Sequence, residues 1–217
     1  MAAARKPRRS RAASLSADPR GKVIAAMVRL ANDVGWGAVT LDAIAAEAEI
    51  GLDKLQAMFP SRAAIVAGFM ADVDHDMLGR LDSGESHYAV RDRLFAVLMA
   101  RLDALRPHRD AVVAMLRGAL GDPVTACALA TTSRRSLSWM LAAAGTAHTG
   151  IDGELKMQGL GALYASTLWV WARDTSEDMS ATMAHVDRQL RRAESIFQFL
   201  QRSVRVPRRS TRKPARA

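Results

Sequence analysis

A chain of 217 residues, 49% of them apolar, is long enough to bury the core of one large domain or of two small ones. Its single cysteine, Cys127, excludes an intramolecular disulfide and favours a reducing compartment, with a buried structural thiol. No apolar run reaches the roughly 18 residues of a membrane span, so we expect a soluble, cytoplasmic protein.

The net charge of +9 is distributed unevenly along the chain. The first 22 residues carry seven basic side chains against one acid, and the last 17 carry seven and no acid, which leaves −4 between them. Both ends are predicted to be disordered, as a basic arm (1–18) and a basic tail (201–217). The arm, with Arg8 and Arg9, has the composition of a segment that contacts DNA phosphates or enters the minor groove. A solubilising tail fits the same composition equally well, and a transit peptide fits it less well.

The first predicted helix is amphipathic. Its apolar residues step by four, three and four positions from Val23 to Val34, and Gly35 marks its end. Two short helices joined by a turn are predicted next, because helical spacing of apolar residues begins at Leu41, breaks, and resumes as far as Phe59.

Capping residues delimit these elements. Thr40 can cap the first short helix, and Gly51 can open the second, which Pro60 stops. Ser61 can cap a long fourth helix over residues 62–81. A helix of this length can connect an N-terminal head to a separate body.

The stretch from Leu41 to Phe59 has an Ile-Ala-Ala run, an apolar residue after the turn, and Leu and Phe closing the second helix. In these features it resembles the DNA-binding region of the TetR family of bacterial regulators, over residues 19–80. The resemblance implies an all-α fold of about nine helices, with a helix-turn-helix head (19–80) and a ligand-binding and dimerisation body (81–200). It also implies a homodimeric repressor in the bacterial cytoplasm, which binds a double-stranded DNA operator and responds to a small hydrophobic effector.

The resemblance places a recognition helix from Leu52 to Met58 in the major groove, with Lys54 and Gln56 at base edges. The residues expected to contact DNA are Thr40, Gly51, Leu52, Lys54, Gln56 and Arg62, with Arg8 and Arg9 of the arm. Several positions depart from the family. Glu49 replaces the glycine of the turn and needs a positive φ at a cost of about 1 kcal/mol. Gln56 and Met58 replace the usual Tyr and His, and Asp53 adds an acid.

Acidic residues and a histidine on the fourth helix raise the alternative of a metal site. Asp72 shares a helical face with both His75 and Asp76. No second group of ligands is visible by spacing, so we predict a solvated acidic face and no metal.

Three helices are predicted in the first half of the body, over about residues 90–105, 108–120 and 123–144. Arg101 falls within the apolar stripe of the first of them. Residues 145–153 are predicted to form a polar loop, and no strand pattern occurs in the sequence.

Two further helices complete the body. The eighth, ending at Trp171, is broadly apolar, and the ninth has apolar residues from Met179 to Leu200 at steps of four and three. Such a pair can form a four-helix bundle with a second copy, although the same stripe also fits a monomeric core. We predict a homodimer through these two helices.

Methionine and aromatic side chains in the body suit a pocket for a hydrophobic ligand, and they equally suit a plain core. The candidates are Met115, Trp139, Met140, Tyr164 and Trp169. No Ser/His/Asp or Cys/His arrangement and no phosphate-binding glycine loop stands out, so we predict neither an enzyme nor a cofactor.

The segment from Trp169 to Leu190 is similar to the C-terminal part of a lipid-binding accessory protein family of ubiquinone biosynthesis. That family shares the TetR-like fold, and the similarity implies an isoprenoid lipid carrier without DNA binding. The acids at Glu49 and Asp53 favour the carrier. The complete apolar frame of the helix-turn-helix, the basic arm and Arg62 favour the regulator. From the sequence we therefore predict a DNA-binding regulator, with the lipid carrier as the alternative.

Overall fold

The computed structural model describes residues 18–81, 88–146 and 150–204, with side chains described as far as residue 195. Over these residues the fold is all-α, which confirms the predicted fold class. The helices are α1 (Pro19–Asp33), α2 (Leu41–Glu47), α3 (Leu52–Met58), α4 (Arg62–Arg80), α5 (Val90–Leu105), α6 (Arg109–Ala119), α7 (Pro123–Ala143), α8 (Gly150–Trp171) and α9 (Ser180–Val204). Short 3-10 turns cover Trp36–Ala38 and Arg106–His108.

Helix caps in the head lie where the sequence predicts them. The side chains of Thr40 and Ser61 accept hydrogen bonds from backbone N–H groups three residues further on, and so begin α2 and α4. Glu49, in the turn between α2 and α3, has a φ of 56°. This left-handed conformation confirms the expectation from the missing glycine and costs about 1 kcal/mol.

The head and the body share one apolar core. Helix α4 packs against α1 at the head and against α5 and α7 in the body, while α8 packs against α7 and α9. The buried cluster that holds Met27 and Trp36 of the head continues to Val112 and Met115 of α6. A second cluster, around Leu98 and neighbouring residues of α7, α8 and α9, fills the far end of the body.

Two local expectations from the sequence are wrong. Helix α8 begins at Gly150, so the connection predicted over residues 145–153 is shorter than expected. Cys127 is exposed, because it lies on the outer face of α7, near Val124, whose side chain is 70% exposed. Among the described residues, no helix is both long enough and apolar enough to cross a bilayer.

Candidate ligand site and helix-turn-helix surface

The outer surface of the helix-turn-helix is acidic. Lys54 is the one basic side chain between residues 40 and 60, which gives this stretch a formal charge of −3. The Thr40 hydroxyl lowers the pKa of Asp42, so that carboxylate is ionised at neutral pH. The exposed carboxylates of this surface belong to Asp42, Glu47, Glu49 and Asp53.

The residues predicted to reach DNA bases lie on the outside of α3. Leu52, Lys54 and Gln56 are exposed, whereas Leu55 on the same helix is buried against the head core. Gly51 is the N-cap of α3 and Thr40 that of α2. The arm residues Arg8 and Arg9 lie outside the described part of the chain.

The guanidinium of Arg62 points toward the body, although the sequence places this residue at the DNA backbone. It donates to the Val39 carbonyl at 2.9 Å and to the Asp122 carboxylate of the body at 2.8 Å. It also lies 4.8 Å from the centre of the Trp36 ring. The Thr125 hydroxyl, together with Arg62, lowers the pKa of Asp122, so the ion pair is charged at neutral pH.

Trp36 of the head contacts α6 and α7 of the body. Its Nε1 donates to the Thr125 hydroxyl on α7 at 2.9 Å, and its ring is 4% exposed. The backbone of Gly118 on α6 approaches the indole so closely that a Cβ built there would lie 2.3 Å from Cδ1. We call Trp36, Arg62, Gly118, Asp122 and Thr125 the head–body contact.

The body encloses a small cavity between α4, α5, α6, α7 and α8. Its volume is about 30 Å³, which is room for roughly one water molecule. Of the five residues predicted to contact a ligand, Met115 and Tyr164 line this cavity. The other side chains around it include Met70, Arg101, Leu116, Leu129, Ser133 and Leu168.

The other three predicted ligand residues lie elsewhere. Met140 is fully buried in the second core cluster. Trp139 is 48% exposed and Trp169 is 61% exposed, with the Arg173 guanidinium 3.8 Å from the centre of the Trp169 ring. None of these three residues lines the cavity, so the structure does not bring all five candidates together at one site.

A buried polar network borders the cavity. Arg101 donates from Nε to the Tyr164 hydroxyl at 2.8 Å and from Nη2 to the Ser136 hydroxyl at 3.1 Å, and it forms a short ion pair with Asp74. Burial alone works against the charge of Arg101, but Tyr164 and Asp74 raise its pKa. One signal for this network is visible in the sequence, namely the charged Arg101 within the apolar stripe of α5.

The acidic residues of α4 face three different arginines. Asp72 accepts from Arg20, and Asp76 accepts from Arg80. The third carboxylate, Asp74, belongs to the buried network, while His75 is exposed. Among the described residues, no three His, Cys, Asp or Glu side chains are grouped as a metal would require.

A second, open groove of about 430 Å³ lies between α5 and α9. Phe95, Met183 and Leu190 contribute its apolar surface. The arginines at its rim, Arg91 and Arg191, are each paired with an aspartate within the groove. The described side chains that line the groove therefore offer no unpaired charge to a ligand.

The arrangement of the helices is that of solved TetR-family regulators. A TetR transcriptional regulator from Nitrosomonas europaea superimposes with a TM-score of 0.66 at 24% identity, covering 82% of this chain and 99% of that one. A TetR transcriptional regulator from Rhodococcus sp. RHA1 superimposes with a TM-score of 0.58 at 19% identity, covering 79% of this chain and 93% of that one. A putative TetR-family regulator from Mesorhizobium loti superimposes with a TM-score of 0.53 at 13% identity, covering 87% of this chain and 98% of that one.

A family comparison gives a different match for the C-terminal part. Residues 135–197 match the COQ9 family model, which agrees with the second similarity seen in the sequence. This segment supplies Ser136 and Tyr164 of the buried network. No curated protein sequence matches the chain. The chain therefore has the fold of TetR-family transcriptional regulators and, over residues 135–197, similarity to COQ9.

Proposed function

We propose that this protein is a carrier for a hydrophobic, isoprenoid-type lipid, built on the fold of a TetR regulator. The observation that carries the proposal is the COQ9 match over residues 135–197, because this segment contributes Tyr164 and Leu168 to the wall of the body cavity. The family resemblance seen in the sequence implies an isoprenoid ligand held in the body.

The charge of the helix-turn-helix supports this proposal over operator binding. DNA affinity comes largely from basic side chains that neutralise phosphates. The surface formed by α2 and α3 has a single exposed lysine, Lys54, among four exposed carboxylates. Arg62, the nearest further cation predicted at the duplex, is bound to Asp122 instead. Glu47 is paired with Arg29 of α1 at 2.7 Å, but Asp42, Glu49 and Asp53 still outnumber Lys54. A duplex approaching this surface would therefore meet net repulsion.

The side chains around the cavity support an adaptable lipid site. Met70 and Met115 are unbranched and can change rotamer at low cost, and Leu116 and Leu129 are only partly buried. The cavity of about 30 Å³ is smaller than an isoprenoid chain. Loading therefore requires the side chains around the cavity to move.

The carrier is tested by extracting lipid from the purified protein and identifying it by mass spectrometry, after incubation with vesicles that contain isoprenoids. Leu129→Trp, which fills the cavity from its partly buried wall, should lose the bound lipid. Leu120→Trp is the matched control, because Leu120 is 90% exposed between α6 and α7. Absence of isoprenoid from the wild-type protein, or equal loading of both variants, would contradict the proposal.

A DNA-binding repressor that responds to a hydrophobic effector is the second candidate. The exposed positions of Lys54 and Gln56 on α3 favour it, because both side chains are free to reach base edges. Selection from random duplex DNA at physiological salt tests this function. Under the repressor hypothesis, the double substitution of both residues by Ala abolishes sequence-selective retention, whereas equal losses on selected and random DNA count against base recognition.

Dimerisation through α8 and α9 is part of both candidates. The side of α8 opposite its core face is apolar and exposed, with Ile151 at 90% and Leu155 at 58% exposure. Small residues such as Ala162 continue this face and allow a second helix to approach. Sedimentation should give a dimer for the wild-type chain and a monomer for Ala162→Arg. A monomeric wild-type chain at micromolar concentration would contradict the dimer.

A further inference from the structure

The Tyr164 hydroxyl can donate one hydrogen bond that no side chain or backbone group among the described residues accepts. Its oxygen accepts a hydrogen bond from Arg101 Nε at 2.8 Å, so the O–H proton needs a different group as its acceptor. None of the described residues accepts it. Tyr164 lines the body cavity, with its side chain 5% exposed. The cavity therefore has a hydrogen-bond donor in its wall, and that donor is held in place by a buried cation.

The charge of the surrounding network limits what this donor can bind. Arg101 contributes +1 and the Asp74 carboxylate contributes −1, and the two form a direct ion pair. The Ser136 hydroxyl accepts from Arg101 and donates to Asp74, which leaves Ser136 nothing further to offer. A ligand head group in the cavity thus meets an O–H donor within a network of zero net charge.

We propose that Tyr164, positioned by Arg101, binds the oxygen of a neutral polar end on an otherwise hydrocarbon ligand. This inference rests on the proposed carrier function and adds the chemical class of the ligand, an isoprenoid alcohol or carbonyl compound. A bare hydrocarbon leaves the Tyr164 proton without an acceptor, which is costly in a buried site. A diphosphate brings charges for which the network has no free cation.

The dimensions of the cavity fit this division of the ligand. About 30 Å³ is room for roughly one water-sized group, so the oxygen of the polar end has a place already formed next to Tyr164. The hydrocarbon chain then passes between Met70, Met115 and Leu168, whose side chains must move. The polar end is therefore selected by a buried hydrogen-bonded network and the chain by adaptable apolar contacts.

Three ligands with the same C15 chain test the proposal: farnesol, the hydrocarbon farnesene and farnesyl diphosphate. Their affinities for the full-length protein are measured by displacement of an environment-sensitive apolar dye. Farnesol should bind about 5- to 10-fold more tightly than farnesene, the effect of one buried hydrogen bond, and the diphosphate should bind more weakly than either. Tyr164→Phe should remove the preference for the alcohol and leave the affinity for farnesene within about twofold.

The chain offers a matched control in its other tyrosine, because Tyr88 is 59% exposed. Tyr88→Phe should keep the wild-type preference. Equal binding of farnesol and farnesene by the wild-type protein, or tightest binding of the diphosphate, would overturn the role of Tyr164 and leave the carrier function standing. Failure of all three ligands to bind would overturn both. If Tyr164→Phe does not fold, the ranking of the ligands by the wild-type protein decides alone.

Discussion

Substitution of Gly118 by Ala should loosen the contact between head and body. A Cβ at this position lies 2.3 Å from Trp36 Cδ1 and 2.9 Å from Cγ, so the indole must shift by about 1 Å to restore ordinary contact. Overpacking of this kind costs about 1–3 kcal/mol. The shift also lengthens the 2.9 Å hydrogen bond from Trp36 to Thr125, which is worth about 1 kcal/mol.

One effect opposes these losses, since Ala is favoured over Gly within a helix by about 1 kcal/mol and Gly118 lies in α6. The net destabilisation should therefore be about 1–3 kcal/mol. Urea unfolding followed by far-UV circular dichroism measures it directly. Gly121→Ala is the control, because no atom lies within 4 Å of a Cβ there, and its effect should stay within about 0.5 kcal/mol.

A double-mutant cycle separates the clash from other effects of the substitution. In a Trp36→Leu background the bulky ring is absent, so Gly118→Ala should cost much less than in the wild-type chain. Two outcomes would refute this account. If Gly118→Ala behaves like Gly121→Ala, or if its cost is unchanged by removal of the indole, the head is not held to the body through Trp36.

Two further predictions concern single residues with unusual environments. Glu49→Gly should stabilise the protein by about 1 kcal/mol in urea unfolding, because glycine adopts the positive φ of 56° without strain, and a destabilised variant would refute this account of the turn. Partial burial opposes ionisation of Asp174, but hydrogen bonds from Ser176 and Thr182 hold its pKa well below the ordinary value. The carboxylate therefore contributes stability above about pH 4 that is lost as the pH falls further, so Asp174→Asn should cost about 1–3 kcal/mol at pH 7 and the two stability curves should converge in acid. Parallel curves would show that the charge of Asp174 is not involved.

The sequence predicts the local structure of this protein well, because each signal acts within a few residues. Thr40 and Ser61 cap α2 and α4 through hydrogen bonds to their own backbone neighbours. The turn after α2 needs a residue with positive φ at a fixed distance from the helix, so Glu49 could be assigned this conformation without knowledge of the fold. The start of α4 follows from Pro60 and Ser61 for the same reason.

The candidate site was less predictable, because it depends on which helix faces meet. Trp139 and Tyr164 both belong to apolar helices, and their spacing alone does not show that one is exposed and the other buried. Arg62 begins α4 at a position suited to DNA, but its partner Asp122 is 60 residues away in sequence. Arg101 could have been suspected from its place in an apolar stripe, whereas its pairing with Asp74 required the packing of α4 on α5.

The basic termini provide the sharpest separation of the two candidate functions. Residues 1–17 carry five Arg or Lys and residues 205–217 carry six, with no acids, which leaves −2 for the remainder of the chain. We expect the full-length protein to bind random duplex DNA weakly, with a strong salt dependence that arises from these eleven charges. A full-length variant with all eleven replaced by Gln should lose this binding, while a control with each Arg replaced by Lys should keep most of it.

The carrier and the repressor then differ in the DNA binding that remains after the termini are neutralised. A repressor that reads bases through Lys54 and Gln56 keeps a preferred sequence after the termini are neutralised, because base contacts on α3 do not depend on them. A carrier keeps none, since the surface of α2 and α3 is acidic and Arg62 is bound to Asp122. Retention of one enriched DNA sequence by the Gln variant, measured at physiological salt, would therefore refute the carrier even if the protein also holds a lipid, because that lipid would then be an effector.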